Sequence, residues 1–178
     1  SYQIRQIAKA IGATDFRPDK PDTTFQQGFT LLVVGVDDRN DGVATGIRSD
    51  TLMLMRVQPQ TGLLSLLSIP RDTRVSVRER GDSKINAAYA YGYMHPQELY
   101  TDDVSQQEGG MALAAETVED FLMLRSRGYR VDYVMELNFT GFAHIIDAFG
   151  GVTVDVPAYI VDAAYPTADY GVMRVEFQ

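Results

Sequence analysis

With 178 residues, of which 45% are hydrophobic and 22% charged, the chain has the composition of one folded domain rather than of a disordered segment. The formal net charge of −8 argues against a nucleic-acid-binding protein, because a polyanion is repelled by an acidic surface. The absence of cysteine excludes disulfides, catalytic thiolates and cysteine-based zinc sites.

The N-terminal part of the sequence predicts a helix followed by four strands. Apolar residues recur at helical spacing over 2–12 and stop at Gly12, and a polar lead-in follows up to residue 27. Residues 28–178 are expected to form the folded domain. The run 30–36 is continuously apolar, which is typical of a strand buried on both faces. Residues 51–57 and 63–69 flank a turn and predict a β-hairpin, and 74–77 predicts a further short strand.

The second half of the sequence alternates helical and strand patterns. Residues 84–92, 110–124 and 140–149 predict helices, and 131–137 predicts a strand. Valine alternates with polar residues over 152–156, which predicts a half-exposed strand. This order favours an α/β fold in which a central mixed β-sheet is sandwiched between α-helices. Residues 157–178 carry few structural signals, so we expect the domain to be incomplete at its C-terminal end.

Positive charge is concentrated in one part of this acidic chain. Half of the 16 lysines and arginines lie within about a quarter of its length. A local anion site is therefore compatible with the negative net charge. The residues concerned are Arg39, Arg48, Arg56, Arg71, Arg74, Arg78, Arg80 and Lys84.

Acidic and basic residues follow the first buried strand and precede the second. The carboxyl end of a central strand is where α/β sheets usually bind ligands, and here it is followed by Asp37, Asp38 and Arg39. If the next strand pairs beside the first, Asp50 approaches Asp37, with Arg48 nearby. Two carboxylates with waters and phosphate oxygens are a donor set that Mg²⁺ prefers. The alternatives are a solvated Asp-rich turn and a loop closed by hydrogen bonds to backbone amides.

The segment that follows the hairpin places an arginine at a strand end. Pro70 cannot donate to the sheet, so the strand is expected to end there. Arg71 is then held where its planar guanidinium could donate two parallel hydrogen bonds to a phosphate. The alternative is a surface ion pair between Arg71 and Asp72, which contributes at most ~1 kcal/mol. Lys84 and Asn86 stand at a predicted helix start, which also favours an anion, unless Asn86 only caps the helix.

Six motifs occur in the order in which the LytR-CpsA-Psr domain has them, and the resemblance covers residues 30–170. SIPRDT followed by KINxAYxYG is the most specific part; the motifs are GVDDR, RSDTLML, LLSIPRDTRV, KINAAYAYG, VDYVMELNFTGFAHIIDAFGG and VTVDVP. The resemblance implies a bacterial enzyme of the cell membrane, single-pass, with its domain on the extracytoplasmic side and an N-terminal anchor that is missing here. The family continues with arginine-containing helices that this sequence lacks.

The resemblance also implies a reaction and its residues. An anionic glycopolymer, such as wall teichoic acid or capsule, would be attached from a polyprenyl-diphosphate carrier to a peptidoglycan acceptor, with Mg²⁺ or Mn²⁺ as cofactor. The metal would be bound by Asp37 and Asp50. The phosphates would be bound by Arg39, Arg48, Arg71, Lys84 and Asn86. The catalytic residues would be Asp37, Arg71 and Asp72, with Asp37 or Asp72 accepting the proton of the acceptor hydroxyl.

Three other functions remain open from the sequence. A polyprenyl-diphosphate phosphohydrolase would use the same site with water in place of the sugar hydroxyl. A noncatalytic polyprenyl-phosphate-binding or regulatory domain, the older transcriptional-attenuator interpretation, would bind without turnover. A DNA-binding regulator is disfavoured by the acidic charge and by the lack of a helix-turn-helix pattern.

Overall fold

The structure, a computed structural model, describes residues 28–36, 49–167 and 171–177. The chain separates into two compact units, Ser1–Phe142 and Ala143–Gln178. The predicted helix over 2–12, the lead-in, the domain boundary after residue 27 and the acidic loop 37–48 lie outside the described residues.

The described part of the first unit begins with five strands, continues with three helices, and ends with a sixth strand and the start of a fourth helix. The strands are β1 (Phe29–Val36), β2 (Ser49–Gln58), β3 (Leu63–Ile69), β4 (Arg74–Val77), β5 (Gly81–Lys84) and β6 (Tyr133–Leu137). The helices are α1 (Asn86–Met94), α2 (Pro96–Leu99), α3 (Gln106–Phe121) and α4 (Phe139–Ala148), which runs on into the second unit. A 3-10 turn lies at Arg125–Arg127. None of the helices in the described ranges combines the length and the apolar character that a membrane span requires.

A four-stranded sheet with the order β3-β2-β1-β6 forms the centre of this unit. β1 pairs antiparallel with β2 and parallel with β6, and β2 pairs antiparallel with β3. The sheet is therefore mixed, and the predicted α/β fold is confirmed. Because β1 and β6 are parallel, their carboxyl ends lie at the same edge of the sheet.

The core lies on one face of the sheet. Side chains alternate between faces along a strand, and in β1 and β2 the registered pairs Leu32–Leu54 and Val34–Leu52 are all buried. They belong to one cluster with buried residues of α1 and α3. The helical residues of this cluster include Ala88, Tyr89, Leu113, Ala114 and Val118.

Helix α3 begins four residues earlier than the sequence prediction of 110 because of a capping box. The Ser105 hydroxyl accepts a hydrogen bond from the Glu108 amide, and the Glu108 carboxylate accepts one from the Ser105 amide. This reciprocal pair satisfies backbone donors that a helix start leaves without intrahelical partners.

Strand β3 lies at the edge of the sheet with its leucines exposed. Its apolar composition is typical of an interior strand, yet four of its side chains are between 47% and 60% exposed: Leu63, Leu64, Leu66 and Leu67. Within the described ranges β3 pairs with β2 along one side only. Composition alone therefore does not report whether a strand is central.

Several parts of the sequence interpretation differ from the structure. The strand predicted over 152–156 is wrong, because these residues have no regular structure and Val152 and Val154 are more than 60% exposed. The second unit instead contains the hairpin β7 (Ile160–Pro166) and β8 (Val172–Phe177). The strand β5 was not predicted, since its sequence GDSK has low β-propensity and it is held by backbone pairing with β4.

Candidate functional site

A tight turn follows β3 and presents Arg71 and Asp72. β3 ends at Ile69, as the position of Pro70 predicted. The Thr73 amide donates to the Pro70 carbonyl at 3.0 Å, and the Thr73 hydroxyl donates to the same oxygen at 2.6 Å. These two bonds close the turn, so that Arg71 and Asp72 occupy its central positions.

The strongest contact of Arg71 is with Asp50 rather than with its neighbour Asp72. Arg71 Nη1 donates to Asp50 Oδ1 at 2.8 Å, whereas Arg71 Nε lies 3.9 Å from Asp72 Oδ2. Asp50 belongs to the start of β2, so the guanidinium connects the turn to the adjacent strand. Both side chains are about half exposed (54% and 42%), so this pair contributes little to stability. The guanidinium is accessible to a ligand in solvent.

Asp72 is paired with Lys84 at the end of β5. Lys84 Nζ lies 2.5 Å from Asp72 Oδ1. The hydrogen bond and the charge of Lys84, with a smaller contribution from Arg71, hold the pKa of Asp72 below its ordinary value. Asp72 is therefore ionised at neutral pH and is a weaker proton acceptor than an ordinary aspartate.

The start of α1 is bonded to the Arg71 turn. The Asn86 amide donates to the Arg71 carbonyl at 3.2 Å, and the Ile85 amide donates to the Thr73 carbonyl at 2.8 Å. The Ser49 hydroxyl donates to the Asn86 carbonyl at 3.3 Å. Asn86 does not act as the helix cap, because the N-cap position is Ile85 and no side chain caps it. Asn86 is itself buried.

Four elements therefore meet at one place: the start of β2, the turn after β3, the end of β5 and the start of α1. They bring together five of the residues that the sequence interpretation selected: Asp50, Arg71, Asp72, Lys84 and Asn86. The cluster has two carboxylates and two cations, arranged as the pairs Asp50–Arg71 and Asp72–Lys84.

The remaining predicted site residues, Asp37, Arg39 and Arg48, lie outside the described residues. Val36, which precedes Asp37 in the chain, pairs with Ser49, which precedes Asp50. Of the predicted metal ligands only Asp50 is therefore described. Its carboxylate is a hard oxygen donor and 42% of the side chain is exposed, which fits Mg²⁺, although Arg71 bonds one of its oxygens.

The sequence interpretation missed Glu136. The Tyr89 hydroxyl donates to Glu136 Oε2 at 2.5 Å. Glu136 is the residue before the last of β6, and it pairs with Val34 of β1. An acid near the end of a predicted strand is a signal that the sequence contains. The sequence does not show that β6 lies beside β1. It is this pairing that brings Glu136 to the edge of the sheet where β1 ends.

The LytR_cpsA_psr family model matches residues 3–172. The chain belongs to this family. The polyisoprenyl-teichoic acid–peptidoglycan teichoic acid transferase TagU of Halalkalibacterium halodurans is 38% identical to it over 144 residues, which are 78% of this chain and 40% of that protein. The chain thus spans about two-fifths of this curated relative's length.

Two solved structures share the fold of this LytR_cpsA_psr chain. TagT bound to LIIa-WTA is 28% identical with a TM-score of 0.57, and the match covers 83% of this chain and 46% of TagT. TagT with bound octaprenyl pyrophosphate lipid is 29% identical with a TM-score of 0.57, covering 84% of this chain and 50% of TagT. The mixed α/β architecture predicted from the sequence is therefore that of its relatives.

Proposed function

We propose that the protein containing this chain is a phosphotransferase that attaches an anionic glycopolymer from a polyprenyl-diphosphate carrier to peptidoglycan, outside the cell membrane to which an N-terminal helix anchors it. The observation that carries the proposal is the position of Arg71. Its guanidinium is accessible and is held in a closed turn, beside the start of β2, the end of β5 and the start of α1. A guanidinium so placed suits the oxygens of a diphosphate. The related TagU is named for this transfer, and TagT has been solved with octaprenyl pyrophosphate.

The proposed reaction is a single displacement at phosphorus. The acceptor hydroxyl oxygen bonds to the phosphorus that carries the glycopolymer, the bond from that phosphorus to the bridging oxygen breaks, and polyprenyl phosphate leaves with the bonding electrons. Arg71 donates hydrogen bonds to the diphosphate oxygens and neutralises the charge that develops there. Lys84 adds positive charge beside it, and Arg39, Arg48 and Asn86 complete the proposed phosphate-binding set.

Mg²⁺, when bound by Asp37 and Asp50, supplies further charge neutralisation at the diphosphate. The proton of the acceptor hydroxyl passes to a carboxylate. The Lys84 ion pair lowers the pKa of Asp72 and so weakens it as a base, and Mg²⁺ bound at Asp37 would weaken that carboxylate in the same way. The proposed proton acceptor is therefore Asp37 or Asp72. Asp72 also holds Lys84 and Arg71 in place.

The test replaces Arg71 in the complete protein and measures linkage of polymer to peptidoglycan from a lipid-diphosphate donor. Arg71→Ala is expected to lower kcat/KM by about 10²–10³-fold, the usual loss on removing one preorganised donor to developing charge. Arg71→Lys is expected to recover only part, since an ammonium cannot make two parallel bonds. The matched control is Arg74→Ala, because Arg74 is 83% exposed and pairs with Asp82 on the surface.

The same assay separates the transferase from the other candidates. Equal activities of Arg71→Ala and Arg74→Ala would refute the role of Arg71. Release of polyprenyl phosphate and free phosphorylated glycopolymer, without any polymer-linked peptidoglycan, would show a phosphohydrolase instead. Binding of the lipid with no turnover by the wild type would show a binding domain. The cofactor is tested with a chelator: activity should be lost, and Mg²⁺ or Mn²⁺ should restore it at higher concentrations in Asp50→Asn than in the wild type.

A further inference from the structure

The side chain of Tyr89 is seated deeply between the two packed helices. It is 1% exposed, and it lies one helical turn after Asn86 on α1. Its ring lies against Gly110 of α3, where an added Cβ would be 2.9 Å from Cε2 and 3.0 Å from Cζ of the ring. Only a glycine leaves room for the ring there. The ring of Tyr89 is therefore closely enclosed where α1 packs on α3.

That hydroxyl reaches across to strand β6. It donates to Glu136 Oε2 at 2.5 Å, and a hydrogen bond from a phenol to a carboxylate is stronger than one between neutral groups. Because α1 has no side-chain cap, its start is held by contacts with neighbouring elements. The Tyr89–Glu136 bond is one such contact, and it comes from β6.

Glu136 and the residue before the Arg71 turn are connected by one line of registered residues across the sheet. Glu136 pairs with Val34, Val34 with Leu52, and Leu52 with Ile69, the last residue before the Arg71 turn. Three strand spacings separate Glu136 from Ile69, a distance of about 14 Å. α1 is bonded to both: the Asn86 amide donates to the Arg71 carbonyl, and Tyr89, three residues further along the helix, donates to Glu136.

We propose that Tyr89 and Glu136 are a positioning pair for the phosphoryl transfer. Their hydrogen bond sets the position of α1, and α1 sets the backbone of the Arg71 turn through Asn86. A guanidinium displaced by a fraction of an ångström aligns less well with the transferred phosphoryl group, and misplacement of about 1 Å costs about 10²-fold in rate. Neither residue needs to touch the substrate. The proposal rests on the proposed function for its kinetic consequence, but not for its structural one.

The structural consequence is measured without any substrate. Hydrogen exchange of the Asn86 amide in the complete protein should accelerate about 5-fold in Tyr89→Phe, because the helix start opens more often. Tyr91→Phe is the matched control, since it removes a hydroxyl from the same helix that makes only a 3.4 Å bond to the Glu79 carbonyl at the surface. Unchanged exchange in Tyr89→Phe, or equal acceleration in Tyr91→Phe, would overturn the proposal.

The kinetic consequence is measured in the linkage assay. Tyr89→Phe and Glu136→Ala should each lower kcat about 10-fold with KM for the lipid donor within about 2-fold, and the double variant should fall no further than the lower single one. Glu136→Gln, which keeps an oxygen acceptor, should recover part of the rate.

Three outcomes of this assay overturn the pair as a positioning device: effects that multiply in the double variant, unchanged kcat, and rates that follow only the folded fraction seen by circular dichroism. If Glu136→Ala does not fold, the test rests on Tyr89→Phe, because this substitution removes only a single oxygen atom. A wild type that links no polymer refutes the proposed function, while the exchange experiment still decides on the pair.

Discussion

Replacing Gly92 by alanine should destabilise the protein, because α1 and α3 are in backbone contact at this residue. A Cβ on Gly92 would lie 2.2 Å from the Gly109 carbonyl oxygen and 2.8 Å from its carbonyl carbon. Moving the first of these to the 3.4 Å at which ordinary contact begins requires a shift of about 1.2 Å. No side-chain rotation can provide it, since the opposing atoms belong to the helix backbone.

The size of the effect follows from two opposing contributions. Overpacking of a well-filled core costs about 1–3 kcal/mol, and a backbone clash belongs at the upper end of that range. The higher helix propensity of alanine stabilises the helix by about 1 kcal/mol relative to glycine. The free energy of unfolding should therefore fall by about 2 kcal/mol, which for a domain of this size lowers Tm by about 4–8 °C.

Thermal unfolding followed by circular dichroism tests this prediction against Gly141→Ala in α4. A Cβ at Gly141 would meet only side-chain atoms: Leu137 Cδ2 at 3.7 Å, and at 3.2 Å Asn138 Oδ1, which accepts a hydrogen bond from the Gly141 amide. This control should stay within about 1 kcal/mol of the wild type. If Gly92→Ala unfolds at the same temperature as Gly141→Ala, the close approach of α1 and α3 is incorrect.

Two further substitutions test ion pairs. Lys84→Met should raise the pKa of Asp72 toward its ordinary value in a carboxyl NMR titration. The pKa of Asp72 is lower in the folded protein than in the unfolded chain. The ion pair therefore stabilises the folded protein at pH values above the ordinary aspartate pKa, and this stabilisation is lost as the pH falls through the lowered pKa. The Tm values of variant and wild type should then converge at acid pH, and a difference that does not change with pH would contradict this. Glu119→Gln should lower the free energy of unfolding in urea by about 1–3 kcal/mol, because the buried carboxylate accepts from the Val131 amide at 2.7 Å and from Arg125 Nε at 3.0 Å. An unchanged urea midpoint would show that the buried carboxylate contributes nothing.

Local sequence patterns were sufficient to predict an element when its structure depends on neighbouring residues alone. The hairpin of β2 and β3 follows from two apolar runs around a turn, and the end of β3 follows from Pro70, which lacks a backbone donor. The alternation over 152–156 has the same local form as a strand and yet forms none, because a strand also needs a partner to pair with. The polar β5 shows the converse, since pairing with β4 makes a strand from residues of low propensity.

The candidate site divides in the same way. The sequence predicted which residues form the site and that they lie at the ends of strands and helices, and the structure brings five of these residues together. The sequence did not predict which of them pair with each other. Arg71 bonds Asp50, which is 21 residues away in sequence, more closely than the adjacent Asp72, because the antiparallel pairing of β2 and β3 brings the two strand ends together.

The sequence by itself therefore determined the family, the strand and helix types of most elements, and the chemistry of a cationic cluster at strand ends. The tertiary structure alone decided that β6 lies beside β1, that α1 and α3 touch at glycines, and that Tyr89 reaches Glu136. The physical reason is that periodicity and capping act over a few residues, whereas strand order and helix packing depend on which distant surfaces bury each other.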